Sequence, residues 1–285
     1  MPHGEAMVLS ERVTRVLAPN PSPFTYTGTQ SYIVGTGELA VIDPGPAEPA
    51  HLDALLRAIA GRPVKAILCT HTHRDHSPAA APLKQATGAT VVGCAPFSLT
   101  DEGPRADASF DPGYTPDAVL SDGDAVAGEG WTLRAVHTPG HTSNHLCYAL
   151  EEEGALFTGD HVMGWSTSVV SPPDGDMAAY MASLQKLMER ERDVIYYPAH
   201  GEAVERPLRL VRGMIGHRRM REGQILRFLQ NNGPSPIADM VPEMYRGVDP
   251  GLYPAAGRSV QAHLIDLDAR DMVRRREDGT WELVA

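Results

Sequence analysis

The strongest constraint in this sequence is a dense group of metal-binding side chains directly after an apolar segment. An Ile-Leu-Cys-Thr run, typical of a buried strand, leads straight into residues 71–76, which read His-Thr-His-Arg-Asp-His. If they were buried without partners, these three imidazoles and one carboxylate would carry a large desolvation cost. In a tight loop after a strand, His71 and His73 would face one side and Asp75 and His76 an adjacent side. The segment therefore predicts two neighbouring metal sites.

Three further candidate ligands follow the same rule along the chain. His141, Asp160 and His200 each come after an apolar, strand-like segment, in the contexts Pro-Gly-His, Thr-Gly-Asp and Pro-Ala-His. Small residues at these points let the backbone turn sharply and approach a metal closely. Each residue alone is typical of a turn, but all of them in this order indicate a metal centre. The sequence has no Gly-x-Ser-x-Gly elbow, so a serine hydrolase has no support.

The first two thirds of the chain alternate short β-branched runs with helical patterns. Predicted strands lie at 32–34, 39–42, 64–69, 89–92, 132–136, 146–150, 155–158 and 194–197, and predicted helices at 48–60, from residue 77 onward, and at 176–190. Strands covered by helices imply a layered body. Residues 96–118 show no periodicity and are predicted to be a long loop of the kind that often forms a lid.

The last part of the chain has a different character. Three helices are predicted at 208–230, 236–245 and 256–270, and a hairpin is predicted around Asp278-Gly279. Three helices and a terminal hairpin predict a winged-helix-like module. We therefore expect two domains, a catalytic domain at 1–206 and a C-terminal domain at 207–285.

The ordered ligands resemble the motifs of the metallo-β-lactamase superfamily, and the segment Ala-Val-Ile-Asp43-Pro-Gly resembles its opening motif. The match covers roughly residues 25–205. It implies an α+β fold class, an αββα sandwich with a metal pair at one edge of its two sheets, here followed by the winged-helix-like domain. Carried over position by position, the resemblance assigns a first metal to His71, His73 and His141, a second to Asp75, His76 and His200, and a bridging place to Asp160.

The same resemblance implies chemistry for these residues. Two Zn²⁺ ions would share a hydroxide that attacks the substrate, and iron and manganese stay open as alternatives. Asp75 would bind a metal and orient the hydroxide, while Asp160 would neutralise charge between the metals, so these two are the predicted catalytic residues. Asp43 would support a metal ligand by hydrogen bonding. His145, which closes the loop carrying His141, is predicted to brace the site in a similar way.

The substrate stays open at this stage. With its tail, the chain resembles the β-lactamase-like family that includes a mitochondrial endoribonuclease, and the segment 141–148 also resembles glyoxalase II, a thioesterase of glutathione conjugates. Ester, thioester, lactone, lactam and RNA phosphodiester bonds all present an electrophile to such a centre. Two other classes compete, namely a mononuclear iron oxygenase of sulfur compounds and a binding module that keeps the metal site.

Charge and composition limit the partners. The net charge is −11, made up of 12 basic and 26 acidic residues before residue 206 and 13 basic and 10 acidic residues from there onward. This argues against DNA as a partner and leaves a small molecule or RNA. A basic strip for RNA could form from the arginines at 218, 219, 221, 227 and 274–276, unless they pair with nearby acids. A homodimer through the tail is compatible with either partner.

The location of the protein is predicted from what the sequence lacks. It has no run of about 20 apolar residues and no secretory signal at its start, so no membrane association is expected. The three cysteines, Cys69, Cys94 and Cys147, lie in separate apolar segments without a CxxC pair, which is typical of buried, reduced thiols. We therefore expect a cytoplasmic protein.

Overall fold

The computed structural model describes residues 2–98 and 110–284, so residues 99–109 of the predicted lid loop at 96–118 lie outside the described residues. The chain forms two compact units. The first comprises Met1–Thr138, Asn144–Ser166 and Glu191–Pro207, and the second comprises Pro139–Ser143, Thr167–Arg190 and Leu208–Ala285. The domain division after residue 206 stays a prediction. The structure adds that two internal segments, 139–143 and 167–190, group with the tail.

The first unit contains a seven-stranded sheet in which the strands follow chain order. They are β1 (Ala6–Val8), β2 (Val13–Leu17), β3 (Gln30–Val34), β4 (Leu39–Ile42), β5 (Val64–Cys69), β6 (Thr90–Gly93) and β7 (Ala118–Val119). Strands β1 to β4 pair antiparallel, and β4 to β7 pair parallel. Parallel neighbours need crossovers. Helix α1 (Pro49–Ile59) lies in the crossover from β4 to β5, and α2 (Ala80–Thr87) lies in the crossover from β5 to β6.

A second sheet of five strands has the order β12-β11-β10-β9-β8. Its members are β8 (Ala125–Gly128), β9 (Trp131–His137), β10 (Leu146–Leu150), β11 (Ala155–Gly159) and β12 (Ile195–Pro198), of which only β11 and β12 pair parallel among the described strands. All eight predicted strands are present. The sequence pattern missed β1, β2, β7 and β8. Helix α2 begins three residues later than predicted, because the amides of His76 and Ser77 still turn back to the carbonyl of His73.

Apolar side chains from both sheets form one continuous core, which includes Ile33, Leu68, Leu133 and Phe157. Two buried tyrosines add hydrogen bonds between the sheets. The hydroxyl of Tyr32 on β3 donates to the carbonyl of Pro198 on β12 at 2.6 Å. The hydroxyl of Tyr148 on β10 donates to the carbonyl of Cys69 on β5 at 2.7 Å. Pro198 and Cys69 are the last residues of strands that lead into predicted ligands, so these bonds fix the ends from which the ligand loops start.

The second unit is mostly helical. It contains α3 (Met177–Met188), α4 (Pro207–Asn232), α5 (Ile237–Met244), a 3₁₀ turn (Pro250–Leu252), α6 (Tyr253–Ala269) and a hairpin of β13 (Val273–Arg275) with β14 (Trp281–Leu283). Its core includes Phe228, Met240, Leu264 and Trp281. The three predicted tail helices and the hairpin are therefore present. Within the described residues, no helix has the length and apolar character needed to cross a membrane. All three cysteines are buried thiols outside any disulfide.

Replacing Tyr32 by Phe should lower the free energy of unfolding by about 1 kcal/mol, because it removes one buried hydrogen bond between the sheets without opening a cavity. Urea denaturation followed by circular dichroism measures this change. Tyr26→Phe is the matched control, since the Tyr26 side chain is exposed. An equal effect of the two substitutions would contradict the structural role of the Tyr32 hydroxyl.

Candidate metal centre

The loop after β5 folds into a tight turn that gathers its own ligand residues. The amide of His76 donates to the carbonyl of His73 at 3.0 Å, which closes the turn. His71 and His76 are fully buried, whereas about a quarter of the Asp75 side chain is exposed. A backbone so tightly turned directs imidazoles and a carboxylate toward the end of the strand, as the spacing predicted.

The predicted ligands of the first unit form two adjacent groups. His71, His73 and Asp160 contribute ligand atoms that lie within 4.8 Å of one another, and Asp75, His76 and His200 form a second such group. Asp160 faces both groups. Its Oδ2 lies 4.0 Å from His71 Nε2, while its Oδ1 lies 3.6 Å from His76 Nε2 and 3.2 Å from His200 Nε2. A carboxylate that bridges two cations would need this position.

Asp43, at the end of β4, organises the base of the cluster. Its carboxylate accepts hydrogen bonds from the amide and the hydroxyl of Thr70, at 2.7 and 2.8 Å, and from Nδ1 of His76 at 3.0 Å. Because the Thr70 hydroxyl donates to Asp43, its oxygen accepts from Nδ1 of His71 at 3.0 Å. Both imidazoles are thereby held with a protonated Nδ1 in this hydrogen bond and with Nε2 directed to the cluster.

Gly28 and Thr29, just before β3, support the second group and were not anticipated from the sequence. Nδ1 of His200 donates to the carbonyl of Gly28 at 3.3 Å, and the hydroxyl of Thr29 donates to Asp75 Oδ2 at 3.0 Å. Gly28 has φ +128°, and a Cβ there would lie 2.2 Å from the carbonyl oxygen of Ala18. Glycine is thus required at this position. Neither glycine nor threonine is a typical metal ligand. In the sequence, only the glycine indicated an unusual backbone conformation at this point.

His145 connects the loop after β9 to Asp160. Its Nε2 accepts a hydrogen bond from the amide of Asp160 at 3.2 Å, so its proton lies on Nδ1, which donates to the hydroxyl of Thr138 at 2.9 Å. The amide of Thr138 also donates to the carbonyl of His145, which closes the base of the intervening loop. These contacts hold the backbone of Asp160 in place.

His141 lies in the second unit, on the segment 139–143. Its Nδ1 donates to the carbonyl of Val169 at 2.6 Å, so this imidazole also carries its proton on Nδ1. Gly140 has φ +135°, and a Cβ there would meet the backbone of Tyr180 on α3 at 2.3 Å. The loop is therefore packed too tightly for any other residue. The assignment of His141 as a metal ligand stays a prediction.

The charges of the second group and of Asp160 compensate one another. Burial lowers the pKa of His200, but the carboxylates of Asp160 and Asp75 outweigh it and raise that pKa to about 10. Burial likewise opposes the charge of His76, yet Asp75, Asp160 and Asp43 hold its pKa well above the usual range. In return, burial raises the pKa of Asp75 and of Asp160, but His76 and His200 hold both well below their usual range.

The donor set fits divalent cations on geometric grounds as well. His76 Nε2 is buried 3.2 Å from Asp75 Oδ2, yet the two atoms are not aligned as a hydrogen bond. His76 Nε2 is therefore a buried nitrogen without a hydrogen-bond partner among the described residues, as expected of an atom that binds a metal. Imidazole nitrogens together with carboxylate oxygens are the usual ligands of Zn²⁺ and similar ions.

Comparison with known proteins agrees with this geometry. Residues 25–200 match the model of the metallo-beta-lactamase superfamily, and residues 237–281 match that of the beta-lactamase associated winged helix domain. A crystal structure of a metallo-beta-lactamase family protein from Thermus thermophilus superposes with a TM-score of 0.77 at 22% identity, covering 97% of this chain and 100% of that one. The predicted α+β fold class, a sandwich followed by a winged-helix domain, is confirmed.

Two relatives extend the similarity over most of the sequence. The beta-lactamase-like protein 2 homolog of Drosophila melanogaster is 33% identical over 282 residues, which cover 93% of this chain and 91% of the relative. An atrochrysone carboxyl ACP thioesterase of Aspergillus fumigatus is 37% identical over 234 residues, which cover 80% of this chain and 68% of the relative. This protein therefore belongs to the metallo-β-lactamase superfamily, as a hydrolase with a C-terminal winged-helix domain.

Proposed function

We propose that this protein is a binuclear zinc-dependent hydrolase of thioesters. The observation that supports two metals is the pair of adjacent ligand groups, with Asp160 directing one oxygen to each. When bound, divalent cations activate water near neutral pH and polarise the bond that it attacks. The thioester is favoured over the other acyl bonds because relatives at 36 and 37% identity are named as ACP thioesterases.

The two catalytic carboxylates have different surroundings. The Asp75 side chain is 26% exposed and accepts a hydrogen bond from Thr29, whereas that of Asp160 is only 11% exposed. Asp75 is therefore the carboxylate that meets solvent, and we assign it the role of orienting the attacking water. Asp160 keeps its negative charge between the two groups. His145 holds the backbone of Asp160, and Asp43 orients His76 directly and His71 through Thr70, by the hydrogen bonds described above.

A pair of exposed aromatic rings lies beside the second ligand group. Tyr26 and Trp165 stack with centroids 4.9 Å apart and planes 13° from parallel. Tyr26 is two residues from Gly28, which binds His200 through its carbonyl, and Trp165 follows Gly164, whose amide donates to the carbonyl of His200 at 2.9 Å. Exposed aromatic rings next to a catalytic centre suit a planar, apolar acyl group. We infer that they form one wall of the acyl site.

The arginines of the tail support RNA less well than this small-molecule substrate. Arg218 is 3% exposed and cannot contribute to a surface strip. Arg274 and Arg276 both pair with Glu282, at 2.6 and 3.6 Å. The basic strip that the sequence left open is therefore interrupted, which weakens the electrostatic basis for binding a polyanion.

The purified protein should hold about two zinc ions per chain, and His73→Ala should lower this to about one or fewer, with loss of thioester hydrolysis, because the first group loses a ligand. Elemental analysis and a thiol-release assay measure both quantities. His137→Ala, which removes an exposed imidazole, is the control. Unchanged metal content in His73→Ala would refute the assignment. Dominant iron together with oxygen consumption would favour the oxygenase alternative.

Zinc binding at pH 7 should release protons. In the metal-free protein, the pKa of His200 is raised to about 10, so its imidazole is protonated at pH 7 and must lose that proton before it can bind a metal. Apparent affinity should therefore increase from about pH 6 toward pH 9 and level off near pH 10. Calorimetry in buffers of different ionisation enthalpy counts the protons released. Binding heats that do not depend on the buffer would contradict this prediction.

Trp165→Ala should raise the KM for an aromatic acyl thioester about 3- to 10-fold with a smaller effect on kcat, because it removes one ring of the stacked wall. Steady-state kinetics with an acetyl thioester provides the control, since a methyl group gains little from stacking. Equal effects on both substrates would show that the ring does not contact the acyl group.

A further inference from the structure

A group of basic side chains inside the second unit plays no part in the proposed reaction. His217, Arg218 and Arg221 lie on α4, and His263 lies on α6. Residues three or four apart on a helix are neighbours, so Arg221 is close to both His217 and Arg218. Arg218 and His263 are each only 3% exposed. We refer to these four residues as the α4–α6 cluster.

The hydrogen-bonding capacity of this cluster is largely unused. Nε of Arg218, Nε of Arg221, Nδ1 of His217 and both ring nitrogens of His263 are buried without a hydrogen-bond partner among the described residues. Arg218 donates from Nη2 to the carbonyl of Ser168, and Arg221 donates from Nη1 to the carbonyl of Met244 and to the side chain of Gln224. All of these acceptors are neutral. Burying guanidinium groups without a counter-charge is costly.

Two acidic side chains on the same helices, Glu222 on α4 and Asp266 on α6, are already engaged elsewhere. Glu222 and Asp266 both pair with Arg270, at 2.7 and 2.9 Å. Within the described part of the chain, neither Arg218 nor Arg221 forms an ion pair with a carboxylate. The positive charge of the cluster is therefore not balanced by the protein residues that the structure describes.

The guanidinium groups are nevertheless held in defined positions. Arg218 lies over the ring of Tyr180 at 5.1 Å, and Arg221 lies over the ring of Tyr245 at 4.2 Å. An aromatic ring covers the face of a guanidinium and leaves its N–H edges available for a ligand. Two such groups on one helix are thus arranged as preformed hydrogen-bond donors.

The surroundings also show the positive potential of the cluster. Burial first, and then the charge of Arg218, lower the pKa of His263 to about 3, and burial followed by Arg218 and Arg221 lowers the pKa of His217. Both imidazoles are consequently neutral at pH 7, and each can still donate one N–H. A bound anion with several acceptor oxygens would accept hydrogen bonds from all of these donors.

We propose that the α4–α6 cluster binds a phosphate group. The planar guanidinium matches phosphate oxygens in pairs, and a doubly charged phosphate would compensate both arginines. The phosphate could be free or part of a larger molecule, and the experiment below separates these sources. The proposal does not depend on thioester hydrolysis.

The test measures inorganic phosphate binding to the full-length, metal-loaded protein by calorimetry, with ionic strength held constant by KCl. Arg218→Gln and Arg221→Gln should each weaken binding about tenfold or more, because each removes charge-assisted hydrogen bonds. Arg219→Gln is the matched control, since Arg219 is the exposed neighbour on the same helix, and it should bind like the wild type. If Arg218→Gln fails to fold, the half-buried Arg221 still tests the site.

Two results would overturn the proposal. One is the lack of saturable phosphate binding by the wild type, and the other is equal binding by Arg221→Gln and Arg219→Gln, as expected if phosphate binds only at the metal centre. A second titration compares phosphopantetheine with pantetheine as probes. Tighter binding of phosphopantetheine than of inorganic phosphate, lost in Arg221→Gln, supports a phosphate carried by a larger molecule. Equal binding of phosphopantetheine and inorganic phosphate, with the same loss, supports free phosphate.

Discussion

The carboxylate of Asp43 is the interaction on which the metal centre depends. It lies at the end of β4 and binds both the backbone and the hydroxyl of Thr70, the first residue after β5, so it ties together two parallel strands at the point where they stop. Through the same oxygen that binds this hydroxyl it orients His76 directly, and through Thr70 it orients His71. A single buried carboxylate, held where two paired strands end, thus sets the orientation of two imidazoles.

The sequence was most informative where local chemistry and local structure coincide. The strand that ends at Cys69 and the ligands after it were predictable together, because an apolar run, a turn and a set of metal-binding side chains point to one arrangement. The groups that support the ligands were harder to predict. Thr29 and the carbonyl of Gly28 reach Asp75 and His200 from a loop far earlier in the chain, and no local pattern distinguishes them from ordinary turn residues.

The arginines of α4 also show that the sequence does not reveal which side chains are buried. A series of arginines on one helix is compatible with a solvated basic face, and Arg219 and Arg227 are indeed exposed. Arg218 is buried against the ring of Tyr180 and bonds to the carbonyl of Ser168. Tertiary packing determines which arginine of a run is enclosed, and this depends on segments far away in the sequence.

The contact between Arg218 and Ser168 also bears on the position of His141. His141 is oriented by the carbonyl of Val169, the residue after Ser168, to which Arg218 of α4 donates. The start of α3 holds the same loop, since the amide of Asp176 donates to the carbonyl of Gly140. All of these groups belong to the second unit. His141, a predicted metal ligand, is therefore positioned by residues of its own unit that are distant in sequence, and a linear division of the chain after residue 206 separates this loop from the helix that supports it.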